Sequence, residues 1–384
     1  MAATSVSDTN KKYPHTTYTS LPLMKPTDIV DFDSRFHLTE LKYTNHPPII
    51  MADSPVSHHP PGSDEQSQPS TDQRAQMEQA YQQMQRKMRM SKMGDSIKHK
   101  IMVLSGKGGV GKTTVATGLA LSLAKRGMKV GLMDIDITGP NVPKMLGLEE
   151  VKLHIEDGQI FPAIGPNGLK VISMAFLIED PDKPVIWRGP IKLGAIQQFI
   201  GDVAWGELDA LIIDFPPGTG DEPLTVSQTL PNLDGVVIVT TPQEVALLDS
   251  RKSINFAKTI NVPVLGVVEN MSGYTISGTA PAGSEVSVTG PNGVPLNARV
   301  NEEGKWEIKL DLFKSGGGES SAIDLQVPFL GALPFDPGVV RGGDDGVHRI
   351  VADPEGETAN AFDSVVEEIL EQLSNSAPPD VKIT

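Results

Sequence analysis

The chain has 384 residues, 39% hydrophobic and 21% charged, enough for one large α/β domain with tails or for two to three smaller domains. Acidic residues outnumber basic ones 48 to 33, and the net charge of −15 argues against a uniform nucleic-acid-binding surface while leaving room for a local basic patch. There are no cysteines, which excludes disulfides, zinc–thiolate sites and an iron–sulfur cluster ligated by this chain's own thiolates.

In chain order, residues 1–75 are rich in Pro, Ser, Thr, His and Asp without an apolar period, and read as a disordered tail. His58 and His59 are read as solvated. The start, Met1 to Ser5, lacks a basic segment followed by an apolar stretch, and no run approaches the ~18 apolar residues of a membrane span. A cytoplasmic chain without a membrane partner is expected. Residues 76–97, full of Gln, Met, Arg and Lys, predict a leader helix.

From residue 98 the texture becomes that of an α/β domain, interrupted once, over 98–274 and 313–374. Apolar runs at Ile101 to Leu104, Val130 to Met133, Leu211 to Ile213, Val236 to Val239 and Val264 to Val268 read as buried strands. Helical spacing at Thr113 to Arg126, Leu193 to Ile200 and Val245 to Thr259 separates them. This alternation predicts a mostly parallel sheet with helices on both faces. Residues 275–312 depart from it: alternating runs around Asn292-Gly293 predict a small antiparallel β-hairpin insert. An amphipathic helix, Ala359 to Leu373, precedes a short tail, 375–384.

The chemistry is concentrated in Gly106-Lys107-Gly108-Gly109-Val110-Gly111-Lys112-Thr113, between a strand and a helix. In a P-loop, backbone amides and the helix N-terminus converge on phosphate oxygens. Lys112 is expected on the β- and γ-phosphates, Thr113 on Mg²⁺, and Thr114 in the same cradle. Lys107, at the second loop position, cannot easily fold back on its own loop's phosphates. It is expected to reach the γ-phosphate of a facing subunit, as an arginine finger does.

Asp214 ends a strand on the phosphate side, positioned to hold Mg²⁺ through water. Gly218 can offer an amide to the γ-phosphate. Asp136 is placed to orient the attacking water, and Asp134 to support Mg²⁺ from behind its ligands. Without an Asn-Lys-x-Asp guanine-reading motif, ATP is favoured over GTP.

Several blocks together resemble the Mrp/ApbC family of P-loop ATPases, iron–sulfur cluster carriers related to MinD/ParA and the nitrogenase iron protein. They are Ser105 to Thr114, Asp134 to Pro143 with Met145-Leu146-Gly147, Trp187-Arg188-Gly189-Pro190, Asp214 to Pro223, Thr241 to Asp249, Val268 to Tyr274 and Pro328 to Pro337. The resemblance implies an ATP-dependent homodimer in which Lys107 acts across the nucleotide, and partners that are iron–sulfur clients or assembly proteins. It also implies that Asn270 and the loop around Pro334 contact adenine. Typical members carry a Cys-x-x-Cys element after Glu-Asn-Met-Ser that bridges two subunits around a 4Fe–4S cluster. Here Tyr274 leads into the insert, which is similar to part of a bacterial immunoglobulin-like adhesin repeat and has no cysteine. An ATP-gated partitioning or scaffold protein without cluster transfer is the alternative.

Overall fold

The computed structural model describes residues 71–137, 139–178, 189–230, 232–291, 293–313 and 316–376. His58, His59, Trp187, Arg188, all of the expected N-terminal tail before residue 71 and residues 377–384 lie outside the described residues. Helix α1 spans Thr71–Ser96. It begins earlier than the expected residue 76 because Asp72 to Ala75 continue the same helix-forming composition.

Strand β1 (Ile97–Leu104) runs into the glycine-rich loop, and α2 (Lys112–Lys125) leaves it. Then come β2 (Val130–Asp134), α3 (Val142–Met145), the exposed hairpin β3 (His154–Glu156) and β4 (Gln159–Phe161), β5 (Ala163–Ile164) and β6 (Lys170–Ser173). Helix α4 (Gly189–Gly201), β7 (Leu208–Asp214), α5 (Asp221–Thr229), β8 (Gly235–Thr240), α6 (Glu244–Thr259) and β9 (Val264–Glu269) complete the regular alternation. The insert contributes β10 (Tyr274–Thr279), β11 (Glu285–Thr289), β12 (Pro295–Arg299) and β13 (Lys305–Leu310). After it follow α7 (Gly317–Leu325), β14 (Phe329–Ala332), α8 (Pro337–Asp344), α9 (Arg349–Ala352) and α10 (Glu357–Ser376).

Eight strands form one sheet in the order β14-β9-β8-β1-β7-β2-β6-β5, parallel except for β5 against β6. The order reverses direction at β1, with β7 on one side and β8 on the other. Ligands of open α/β sheets bind outside the strand ends at such a reversal. Strands β2, β7 and β8 are apolar and buried along nearly their whole length, as a sheet covered on both faces requires. On one face, Ile101, Val103, Ile212 and Val237 pack with Leu119 and Leu123 of α2 and with Phe362, Val366 and Ile369 of α10.

The insert is two nested antiparallel pairs. β10 pairs with β13, so that Tyr274 faces Leu310, and β11 pairs with β12. Glu285, Ser287 and Thr289 are exposed while Val286 and Val288 are half-buried, the period-2 pattern of a strand with one covered face.

A buried histidine ties α9 to this body. His348 is 1% exposed, its Nδ1 accepts from the Ile350 amide at 3.3 Å as the cap of α9, and its ring lies edge-on to Phe362. Burial lowers its pKa from 6.5 to about 4. A folded-state value below the unfolded one means stability that is complete above pH 6.5 and is lost as pH falls towards 4. In His348→Asn, which keeps a cap acceptor, urea unfolding across this pH range should lose less stability than wild type, by up to about 3 kcal/mol. Parallel pH profiles would show that His348 is not buried neutral.

Candidate nucleotide-binding site

The loop between β1 and α2 reverses the chain through Gly109 (φ +79) and Gly111 (φ +78), left-handed conformations that glycine adopts without a Cβ penalty. Gly111 is the N-cap of α2, with no side-chain cap bond at that end. The free amides of a helix start are therefore presented to the loop's concave side. Gly106 is needed for a different reason: a Cβ there would run into the backbone of Asp249 in α6.

Lys112, the first residue of α2, is 6% exposed and turns back over the strand ends. Its ammonium donates to Asp214 Oδ1 and lies 3.9 Å from Asp136 Oδ2 and 3.4 Å from Thr113 Oγ1. Asp214 ends β7 and Asp134 ends β2, and the two are register partners. Both are fully buried. Asp134 Oδ2 accepts from Ser173 Oγ at 2.7 Å and its Oδ1 from the Asp136 amide at 3.0 Å.

Burial, reinforced by the Asp214 charge, pushes Asp134 up to about 8, against the opposing effects of Ser173, the Asp136 amide and Lys112. Burial also raises Asp214, where the charge of Lys112 and hydrogen bonds from Lys112 and Thr113 work the other way. Two adjoining buried carboxylates cannot both ionise cheaply, so the pair resists carrying two negative charges, and Lys112 favours the anion on Asp214.

Gly218 and Asn270 bond to the same loop and its root, while Pro334 sits beside the segment that holds Asn270. The Gly218 amide donates to Ser105 O at 2.9 Å, which ties the segment after β7 to the root of the P-loop. Asn270 is 8% exposed and its Nδ2 donates to Val110 O at 2.9 Å. Pro334 lies in a segment laced to the one holding Asn270: Ser272 N donates to Leu333 O and Phe335 N to Gly273 O, both at 2.8 Å. Lys107 takes a different partner from Lys112, donating to Gln243 Oε1 at 3.2 Å just before α6.

Ser173, Gln243 and the Asp249 backbone are supports that the sequence reading assigned no role. Gln243 and Asp249 carried a signal, through their place in the Thr241 to Asp249 block; Ser173 carried none.

The donor set suits a hard cation. Asp214 Oδ2 is buried without a hydrogen-bond partner, and the Thr113 hydroxyl is within the cluster. Mg²⁺ takes one or two protein oxygens and completes its shell with phosphate and water. Among the described residues no group of three or more His, Asp or Glu forms a cage by itself. An iron–sulfur cluster is a different matter, since its soft iron calls for thiolates and the chain has none.

A parallel sheet reversing at β1, with a glycine loop and a buried lysine–carboxylate cluster at that reversal, defines a P-loop NTPase. The family described as ParA, NUBPL iron-transfer P-loop NTPase, matches residues 96–294 and 293–370. The iron–sulfur cluster carrier protein of Methanocaldococcus jannaschii is 44% identical over 277 residues, 72% of this chain and 86% of the relative. A cytosolic Fe-S cluster assembly factor NUBP2 homolog of Culex quinquefasciatus is 45% identical over 281 residues, 72% and 99% of the two chains. Among solved structures, a nucleotide-binding protein of Archaeoglobus fulgidus in complex with ADP is 35% identical, with a TM-score of 0.54 over 72% of this chain and 96% of that one. The chain belongs to this family of iron-transfer P-loop NTPases, related to Mrp/ApbC.

Asn270→Ala should leave the Val110 carbonyl buried without its donor, at a cost of about 1–3 kcal/mol, and weaken ADP binding roughly tenfold by calorimetry. Gly106→Ala should be worse: α6 must move to admit the methyl group, and ADP binding should be lost while Gly109→Ala, with open space around it, retains part of it. Equal affinities for the two alanine variants would show that the Gly106–Asp249 contact does not shape the loop.

Proposed function

We propose that this chain is a Mg-ATP-hydrolysing switch that works as a homodimer, each P-loop completed by Lys107 of the facing copy. The observation that carries the reading is the pairing of Lys112 with Asp214 beside Asp136 at the mouth of the loop. The loop amides of Gly108, Gly109, Val110 and Gly111 cradle the phosphates, and Lys112 turns from Asp214 to the β- and γ-oxygens. Thr113 and Asp214 would hold Mg²⁺, which supplies charge neutralisation on the transferring phosphoryl group. Asp136 orients the attacking water, and Asp134 holds the Asp136 amide in place behind it.

Gly218 reports the γ-phosphate to the segment that follows β7, a motion resisted by its bond to Ser105. Asn270 and the Pro334 segment face the adenine. Lys107 leaves Gln243, a neutral and weak partner, to stabilise charge across the dimer.

The partners we assign are iron–sulfur clients or assembly proteins in the cytoplasm, with no nucleic acid and no membrane. Among the described residues no helix is long and apolar enough to cross a membrane. Because the chain offers no thiolate, any 4Fe–4S cluster would be cargo held by a partner's ligands. That absence, together with a folded β insert, also favours a second reading: ATP closes the dimer and the insert captures a partner, without cluster transfer. Reconstitution of the isolated chain with iron and sulfide tests what the two readings share, since a stable cluster absorbance would refute both.

The core of the proposal is tested by two lysines. Lys112→Ala should abolish ATP binding. Lys107→Ala should keep binding but lower turnover by at least about 100-fold, as removal of a charge acting in trans does. Turnover should also rise more steeply than linearly with protein concentration. Unchanged turnover in Lys107→Ala sinks the trans-lysine mechanism.

A further inference from the structure

Helix α1 carries a row of large apolar side chains that the body does not cover. Met77, Tyr81, Met84 and Met88 are each 62–67% exposed. Their spacing is 4-3-4, which keeps a stripe in line along a helix pairing with another at the 3.5-residue repeat of a coiled coil. The other end of α1 is firmly docked. Met93 is 7% exposed, Arg89 lies 3.6 Å from Asp202 and donates to Gly158 O at 3.4 Å. Buried Lys100 donates to Gly94 O at 3.1 Å and to Ile97 O at 2.8 Å, holding carbonyls at the helix C-terminus. The stripe therefore stands on an anchored helix.

We infer that this stripe pairs with the same stripe of a second copy of the chain, making a contact that needs no nucleotide. Three observations favour a like helix over other occupants. The narrow seam of two positions in seven is self-complementary, so the same four residues serve both sides of a twofold contact. The exposed area of four such side chains is about 500 Å² per copy, so a pair covers about 1,000 Å², the lower bound of a specific interface. A membrane surface is disfavoured because α1 contains no Trp, Phe or Leu, the residues that sink an amphipathic helix into lipid.

Placement makes the contact separable from the nucleotide dimer. Helix α1 enters β1 at Ile97, whereas the P-loop leaves β1 after Leu104, so the anchored end of α1 and the P-loop lie at opposite ends of one strand. A chain using both would assemble beyond a dimer when ATP is present.

The test is sedimentation equilibrium of the full chain without nucleotide, at concentrations on the order of 100 μM to suit a small interface. Wild type should associate reversibly to dimers, and the double variant Tyr81→Glu/Met84→Glu at least tenfold more weakly, with unchanged helix content by circular dichroism. Because the chain has no cysteine, single thiols give a second readout that does not depend on the charged variants. Under mild oxidation, Met84→Cys should form disulfide dimers with itself if the helices run parallel. A mixture of Tyr81→Cys and Met84→Cys should form them if the helices run antiparallel. A monomeric wild type, association undiminished in the double variant, crosslinking in neither arrangement, or capture by anionic vesicles without self-association would each overturn the inference.

Discussion

At the centre of this molecule the ammonium of Lys112 sits over the ends of two neighbouring strands, bonded to Asp214 and close to Asp136. Asp134 and Asp214 are stripped of water there, a burial that is costly for carboxylates unless a proton or a cation compensates it. The chain supplies a cation in Lys112 beside Asp214, and burial raises the proton affinity of both carboxylates. This balance is a consequence of topology. Because β7 lies between β1 and β2, the strand that launches the P-loop adjoins the strand ending in Asp214, and the helix leaving the loop returns its first side chain over them. The same lysine that offsets the buried charge is the one we propose for phosphate binding, so in that reading stability and chemistry draw on one residue.

Much of this was legible in the sequence because its signals are local. An apolar run ending in a glycine-rich turn and followed by helical spacing can only be a strand, a loop and a helix, and a run such as Leu211 to Ile213 delivers Asp214 to a strand end. Alternation around Asn292-Gly293 marked the antiparallel texture of the insert. What stayed hidden are contacts made by sheet order. Nothing near Ser173 announces that β6 will lie beside β2 and bring its hydroxyl to Asp134. Nothing near Asp249 says that its backbone will close over Gly106. Asn270 shows the same limit, since its bond to Val110 spans 160 positions of sequence. Helix α7 was missed because it begins in Gly316-Gly317-Gly318, poor helix formers. There the Gly318 amide is held at 2.5 Å by Glu269, and a side chain would meet that carboxylate.

Membership in an iron-transfer family and the absence of thiolates pull in different directions, and the chain resolves them by position. The family pattern is kept in the sheet, in the loop and at Asn270, which bonds to that loop. After Tyr274 the chain runs into the insert, which carries no cysteine. A chain can therefore retain the nucleotide machinery while the element beside it changes chemistry altogether.

The pairing of β10 with β13 explains how such a change is tolerated. Tyr274 faces Leu310, so the two strands that carry the chain out of the ATPase body and back into it run side by side. Everything beyond that pair, including the β11–β12 hairpin, is closed off by its own strands, and the host experiences only a narrow two-stranded neck. The entropy of closing a loop grows slowly with its length, and a zipped neck removes most even of that dependence. The site after Gly273 thus behaves as a socket: modules of different size and chemistry are interchangeable there, provided that their first and last strands pair with each other.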